Sequence, residues 1–349
     1  MVVPGSIPNM ILSFDNFVYH LKFKVQSFLF LCKMISISHK TKHYLTFITK
    51  VLIVCLAFYV IYDKLAQNEQ MSWSQFQHIL QHKFTLGWVM FMLFLSFLNR
   101  FLEILKWQNL VSIIEPISLK TASKQVLAAL TAGLFTPNGI GEYAGKALYF
   151  SKTKTKKIIF LNLICNGIQM LLTVFFGLIG LLYLGYFYWV SLLIGLIILL
   201  ILFFTLTKNI EIKGYSFSVL ISKIKDIPKK NHQKNIYLAI GRYLTISHQY
   251  YFLLILFGVK LPYLTVITTI IAVYFIASSL PSFQFLDFAV KGGVALWFFD
   301  KIDVDEIVIL FITTFMWFFN VVLPVIIGSY FVFTFKNKQK NNLFIKYDR

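Results

Sequence analysis

Apolar stretches long enough to cross a bilayer recur along this chain, and short lysine-rich loops separate them. A transmembrane helix needs about 20 consecutive, mostly apolar residues, and segments such as 158–183 and 186–206 reach that length. Of the 349 residues, 58% are hydrophobic and 13% are charged, whereas a soluble domain needs more polar surface to cover its core. The pattern predicts an all-α, polytopic membrane protein.

The lysines contribute most of a formal net charge of +19 and fall in loops between the apolar stretches, for example in 207–235. A basic protein can bind nucleic acid, but this distribution is the one that the positive-inside rule gives to cytoplasmic loops. It favours contact with anionic lipid headgroups over nucleic-acid binding. The basic flanks also predict that the N- and C-termini are cytoplasmic.

Three parts are predicted along the chain. Residues 1–44 are apolar with interspersed lysines and are expected to lie along the membrane interface or to be poorly ordered; alternatively, translation begins at Met34. A transmembrane domain at 45–335 follows, and a basic cytoplasmic tail at 336–349 comes last. Within the domain we expect about six full spans, at 45–62, 86–107, 158–183, 186–206, 236–257 and 304–333.

Two apolar segments between these spans are broken at a proline. Lysines flank segment 118–150 on both sides, so both of its ends are expected in the cytoplasm, and neither half of it is long enough to span. We predict a re-entrant helical hairpin, because non-helical backbone at membrane depth survives only when it is buried or lines a cavity. Segment 263–299 has the same character, but an acidic loop follows it, so this second hairpin is predicted to enter from the opposite side. The residues expected at the hairpin tips are Pro137, Asn138, Gly139, Gly141 and Pro281.

The two broken segments also share a short motif. "EYAGK" (142–146) and "DFAVK" (287–291) both read acid, aromatic residue, alanine, any residue, lysine, and each follows a proline by five or six residues. A full span precedes and follows each hairpin. Together with the opposite directions of entry, this pattern is typical of inverted-topology repeats whose broken helices meet near the bilayer midplane.

The motif offers two interpretations of its charges. Glu142 and Lys146, like Asp287 and Lys291, stand four residues apart on one helix face, in the favourable order for pairing. In the first interpretation each pair neutralises itself and the acid caps a helix N-terminus. In the second, helix N-termini and lysines line a cavity that binds an anion such as phosphate.

Two arginines in predicted spans add to the candidate binding residues. Arg100 lies within the second span, with Glu103 one turn on as the expected partner. Arg242 lies near the start of a later span, where the alternative is that its side chain extends to the cytoplasmic headgroups. The candidate substrate-binding residues are Glu142, Lys146, Asp287, Lys291, Arg100 and Arg242.

The sequence has no motif that is typical of a metal or nucleotide site. Cys32, Cys55 and Cys165 lack the CxxC spacing of zinc or redox sites, and the seven histidines have no metal-ligand spacing. The sequence contains no Walker-type phosphate loop. No cofactor, metal site or catalytic residue is predicted.

Three stretches resemble the lysylphosphatidylglycerol synthase transmembrane, or flippase-like, family. "TPNGIGEYAGKAL" is similar to the family's "TPGGIGEFE", with Asn138 where glycine is usual. "RFLEILKWQNLV" resembles its second span, and "LPSFQFLDFAVKGGVALWFF" its second proline-broken segment. The resemblance covers 45–335 and implies an inner-membrane protein related to the domain that moves aminoacylated phosphatidylglycerol between leaflets. The chain ends at Arg349 without the soluble aminoacyl-transfer domain of full-length synthases, so no enzymatic activity is expected.

We therefore expect a protein that moves a lipid or lipid-linked anionic substrate across the bilayer. One alternative is a membrane-embedded enzyme acting on a lipid headgroup, which would convert labelled lipid to product. The other is a non-transporting scaffold subunit, in which replacement of Lys146 or Lys291 by methionine would leave any cellular phenotype intact.

Overall fold

A computed structural model gives the fold of the chain. It describes residues 84–344, apart from 135, 137–138, 209, 211–215 and 281–285, together with the single positions 48, 52, 59 and 81 and without the side chains of 336–344. Residues 1–44 and the tip residues Pro137, Asn138 and Pro281, for which predictions were made, lie outside the described residues, as do most of the first span and residues 345–349 of the tail.

Helices account for the regular structure of the described residues. The first six are α1 (Leu86–Val111), α2 (Leu119–Leu134), α3 (Ile140–Ala147), α4 (Thr155–Tyr183), α5 (Phe187–Leu206) and α6 (Phe217–Lys225). The next four are α7 (Lys229–Leu256), α8 (Tyr263–Ser279), α9 (Asp287–Asp300) and α10 (Glu306–Trp317). A π-helical turn, Phe318–Val322, joins α10 to α11 (Leu323–Phe344). The all-α class predicted from the sequence is confirmed.

Four helical segments of the described chain are long and apolar enough to cross a membrane: α1, α4, α5 and the continuous segment Glu306–Phe335 from α10 into α11. Each coincides with a predicted span. Helix α7, which coincides with another, has the length but carries more polar residues, and α8 is apolar but shorter. The chain is a multi-pass membrane protein.

The first broken segment is a pair of helices, α2 and α3, packed against each other. Thr136 joins them: its hydroxyl donates to the carbonyl of Gly133 in α2 and accepts the N–H of Gly141 in α3 at 2.7 Å. Gly139, immediately before α3, has a φ of 66°, which glycine adopts without steric cost. Gly141 then lies so close to α2 that a Cβ atom on it would be 2.2 Å from the carbonyl oxygen of Ala132.

The second broken segment is the pair α8 and α9, which also pack against each other. α9 begins at Asp287, as the sequence predicted, and its first-turn acid lies where the exposed N–H groups of a helix favour negative charge. The predicted breaks in both segments are therefore confirmed. Their entry and return at membrane depth stays a prediction.

The packing of the helices is reciprocal between the two halves. α1 packs along α7, α4 packs on α8, and α11 packs on α2. Each helix of the first half has a counterpart in the second: α1 corresponds to α7, α2 to α8, and α4 to the α10–α11 segment. When every helix is replaced by its counterpart, the same three contacts result. Glycines allow the two crossed contacts: a Cβ on Gly180 would lie 2.7 Å from the carbonyl oxygen of Thr268, and one on Gly328 would lie 2.2 Å from that of Leu127.

The chain divides into two compact units, one comprising 49–190 and 227–349 and the other 1–48 and 191–226. The first unit contains α1–α4 and α7–α11. Helix α5 spans the division and buries only Val190. Its other large apolar side chains are mostly exposed, as expected of a helix that faces lipid.

One boundary differs from the prediction. The second span was expected to end at the cytoplasmic surface near Lys106, but α1 continues to Val111 and the Lys106 side chain is fully buried. A lysine with an internal carboxylate partner does not mark a helix end, and Lys106 has one in Glu103.

Candidate functional site

A cavity of about 450 Å³ opens among the helices of the larger unit. Both broken segments contribute to its wall, α3 through Glu142 and α9 through Asp287 and Lys291. Arg100 and Glu103 from α1 and Arg242 from α7 complete the charged part of its lining. Neutral polar, aromatic and apolar side chains form the rest.

The first motif forms an ion pair within α3. Lys146 Nζ lies 2.9 Å from Glu142 Oε1 and donates to Asn162 Oδ1 at 2.7 Å. The ammonium also lies 4.8 Å from the ring centre of Trp107, a cation–π distance. The Lys146 side chain is 0% exposed, whereas 20% of the Glu142 side chain is exposed. Only the acid of this pair therefore lines the cavity.

The second motif pairs in the same way but remains more open. Lys291 Nζ lies 2.5 Å from Asp287 Oδ2, one turn apart on α9. Their side chains are 33% and 23% exposed, and both line the cavity. Both motifs thus form an internal ion pair, but the lysine is buried in the first motif and partly exposed in the second.

Glu103 is the carboxylate at the centre of the charged cluster. Its Oε2 accepts from Arg242 Nη1 at 2.7 Å and from Lys106 Nζ at 3.3 Å. Glu103 is buried, and Lys106 has a further acceptor in Gln169 Oε1 at 3.3 Å. One buried carboxylate therefore compensates two cations, from α1 and α7. Arg242 points into the protein, so the alternative that it extends to the headgroups is wrong.

Arg100 does not pair with Glu103 as expected. Its Nη2 donates to the backbone carbonyl of Asn320 at 2.7 Å. That carbonyl is available for a physical reason: the residue four positions on is Pro324, which has no N–H to donate to it. Asn320 also lies in the π-helical turn, a local irregularity that is frequent at functional sites.

A chain of amides joins the arginines to neighbouring helices. Arg242 Nε donates to Asn99 Oδ1 at 3.0 Å, and Asn99 Nδ2 donates to Asn320 Oδ1 at 2.8 Å. Asn320 Nδ2 then donates to Gln249 Oε1 at 3.0 Å, and Gln249 Nε2 donates to Ser96 Oγ at 2.6 Å. Buried polar groups need such partners, and here they tie α1, α7 and the π-helical turn together.

Within the part of the chain that the structure describes, two buried donors on the cavity wall have no acceptor. Arg100 Nε and Trp317 Nε1 are both inaccessible and unbonded, and both residues line the cavity. An unmet buried donor costs free energy, so these two N–H groups mark where an acceptor from outside the protein could bind.

The six residues predicted to bind substrate are therefore close together but not equivalent. Glu142, Asp287, Lys291, Arg100 and Arg242 line one cavity, whereas Lys146 lies behind it. The tip residues Gly139 and Gly141 form the start of α3 and are not among the residues that line it.

Sequence reasoning missed Glu103 as the central carboxylate and missed Trp317 altogether. The sequence did contain a signal for the region around Trp317, because Pro324 leaves the carbonyl of Asn320, four residues earlier, without its helical donor. A polar residue, Asn320, at that position in an apolar span indicates a tertiary partner.

The described part of the chain contains no group of three or more histidine, cysteine, aspartate or glutamate side chains that could hold a metal ion. The charged side chains of the cavity are instead suited to binding a charged or polar molecule.

These features define a class: a multi-pass membrane protein whose interrupted helices and buried ion pairs surround a charged cavity. Soluble domains seldom bury so many charges, and in membrane proteins such charges mark functional sites by default.

Comparison with known families agrees with this class. The sequence profile of the family described as "Lysylphosphatidylglycerol synthase TM region" matches residues 47–284. That range is more than half of the chain, and the chain belongs to this family. A comparison with curated proteins found no match.

Proposed function

We propose that this protein moves a lipid or lipid-linked anionic substrate between the two leaflets of the membrane. The observation that carries the proposal is the cavity of about 450 Å³, which both broken helix pairs line with charged residues. Its volume lies within the range of roughly 300–1,000 Å³ that is usual for ligand sites. A polar headgroup would enter the cavity while the acyl chains remain in the bilayer.

The reciprocal packing supports an inverted repeat as the basis of movement. Because α4 packs on α8 and α11 packs on α2, each half holds one arm of the other half's broken pair. In transporters built from inverted repeats, rocking of one half against the other exposes a central site to alternate sides. In this proposal both hairpins are re-entrant and the cavity opens to each leaflet in turn.

The proposed location is the cell's inner membrane, with both termini in the cytoplasm. The support is the distribution of lysines, which flank the spans on the side of the tail and of the loop 207–235. Family membership supports the lipid context.

We also propose that the protein changes the position of its substrate and not its covalent structure. Within the described residues, the carboxylates of the cavity are each paired with a cation: Glu103 with Arg242, Glu142 with Lys146 and Asp287 with Lys291. A general base would instead be expected beside a nucleophile or a positioned water.

Reconstitution into liposomes tests the function directly. With fluorescent phosphatidylglycerol in both leaflets, we expect the purified protein to move lipid, so that external dithionite bleaches more than the outer-leaflet half of the signal. Empty liposomes provide the baseline. Bleaching that stops at the outer-leaflet half for phosphatidylglycerol and for other anionic lipids would contradict translocation. Conversion of the labelled lipid to a new product would favour an enzyme.

A further inference from the structure

We infer that Arg100, assisted by the indole N–H of Trp317, is the residue pair that binds the phosphate-class oxyanion of the substrate. The inference rests on the proposed function and makes it more specific. The sequence motif suggested Lys146 and Lys291 as the cations that bind the anion, whereas the contacts in the structure favour Arg100 of α1.

The other cations of the cavity are already compensated. Lys146 is fully buried and paired with Glu142, Lys291 is paired with Asp287, and Arg242 is paired with Glu103. A phosphate that used one of these groups would have to displace a carboxylate at 2.5–2.9 Å. The displaced carboxylate would then lose a cationic partner, which is costly where the carboxylate is largely buried.

Arg100 differs from them. Within the part of the chain that the structure describes, its side chain has a hydrogen bond to a neutral backbone carbonyl and no ion pair with a carboxylate. Its Nε–H is buried and unbonded. A guanidinium offers donors in a fixed planar arrangement that matches two oxygens of a phosphate, and here part of that arrangement is unused.

The surrounding charge also favours an anion. Among the described residues, the charged side chains of the cavity wall, with Lys106 and Lys146 behind it, comprise five cations and three carboxylates. Two positive charges are therefore in excess at the site. An anion that carries one or two negative charges would compensate them, as a phosphodiester or phosphomonoester does.

Trp317 supplies an independent sign of a missing acceptor. Its Nε1–H is buried without a partner and belongs to the same cavity lining as Arg100. The ring of Trp317 also packs on Phe288 of α9, with ring centres 4.9 Å apart. An anion bound between Arg100 and Trp317 would therefore join α1 of one half to α10 of the other, and through the ring contact to α9 of the second broken pair.

Equilibrium binding tests the assignment with the full-length protein in detergent. The probes are dihexanoyl phosphatidylglycerol, inorganic phosphate and dihexanoylglycerol, which lacks the phosphate. We expect Arg100→Gln to weaken binding of the phosphatidylglycerol probe about tenfold or more, since hydrogen bonds to charged groups are the strong ones. Trp317→Phe removes one neutral donor and is expected to weaken binding about threefold or more. Dihexanoylglycerol should bind weakly to every variant.

Two matched variants serve as controls. Lys154→Gln removes a positive charge from an exposed pair, and Trp297→Phe removes an indole outside the cavity lining. Both should bind the probe as the wild type does. Wild-type affinity in Arg100→Gln would overturn the assignment. If that variant does not fold, wild-type affinity in a folded Trp317→Phe overturns it equally.

The two sources of phosphate, and the two proposals, are separable. Inorganic phosphate that binds as tightly as the lipid probe, and depends on Arg100, would support the oxyanion site and identify free phosphate as its ligand. Arg100-dependent binding without lipid movement in liposomes would support the site and overturn the function proposed above. If the protein moves lipid but neither substitution changes binding, the proposed function is supported and the assignment of Arg100 and Trp317 is overturned.

Discussion

At the scale of single residues, the site depends on one carboxylate serving two cations. Glu103 accepts from both Arg242 and Lys106 through the same oxygen, while its other oxygen lies 3.8 Å from the thiol of Cys165. Burial of an uncompensated charge is far more costly than burial of a pair. The position of Arg242 on the cavity wall therefore depends on Glu103 remaining charged.

Replacement of this carboxylate should be strongly destabilising. We expect Glu103→Gln to cost about 3–5 kcal/mol of folding free energy, because it leaves the buried Lys106 and the partly buried Arg242 without their counter-charge. The measurement is thermal unfolding of the purified protein in detergent. Glu115→Gln is the matched control, because it removes an exposed carboxylate whose side chain is 48% exposed and should cost at most about 1 kcal/mol. Equal losses in both variants would contradict the shared role of Glu103.

The partners of these charges were only partly predictable. The pairs Glu142–Lys146 and Asp287–Lys291 follow from spacing along one helix, and both are present. The same reasoning assigned Glu103 to Arg100, three residues away. In the structure Glu103 instead bonds Arg242, which lies 139 residues further on. Local spacing carries no information on which distant helix will supply a stronger partner.

At the scale of helices, the first broken pair is held together by a backbone contact that only glycine permits. Gly141 faces the carbonyl of Ala132, and its N–H is bonded to the Thr136 hydroxyl. The two arms therefore approach closely over the first turn of α3. This contact fixes where Glu142, the next residue, projects.

A methyl group at this contact should force the arms apart. In Gly141→Ala the new Cβ would lie 2.2 Å from the Ala132 oxygen, and we expect a loss of about 1–3 kcal/mol. Gly167→Ala on α4 is the control, because nothing lies within 4 Å of its added Cβ. Since alanine favours helix by about 1 kcal/mol over glycine, the control should be neutral or stabilised in the same melting assay. A stable Gly141→Ala would show that the close approach is dispensable.

The helix breaks themselves could be predicted, because proline removes a helical hydrogen bond and glycine lowers helix propensity, so that both favour a break inside an apolar segment. The boundaries Asp287 and 118–150 in the sequence correspond well to α9 and to the α2–α3 pair. The end of α1 could not be predicted in this way. Lys106 has the composition of a membrane boundary, and only its contact with Glu103 and Gln169 explains why it is buried.

At the scale of the whole molecule, the crossed packing makes each half depend on the other. The contacts of α4 with α8 and of α11 with α2 are both close enough to require glycine on the long helix. Sequence comparison of the halves offered only a five-residue motif, whereas the packing extends the correspondence to whole helices. Contacts between halves cannot be deduced from either half's sequence alone.

Opposite insertion of the two broken pairs predicts opposite accessibility. Ile140 at the start of α3 and Leu280 at the end of α8 are both exposed. Single cysteines at these positions, in a chain whose three cysteines are replaced, should react with a membrane-impermeant maleimide from opposite sides of the membrane. Labelling of intact cells against inverted vesicles measures this. Reaction of both cysteines from the same side would rule out the inverted arrangement.

Pro324 determines which mutations near Asn320 the proposed anion site should tolerate. Arg100 is bonded to the main chain of Asn320 and not to its amide, so the register between positions 320 and 324 matters more to the guanidinium than the identity of the side chain at 320. One residue inserted between them would rotate the proline by about 100° around the helix axis. Insertions there should therefore be harmful even where substitutions are accepted.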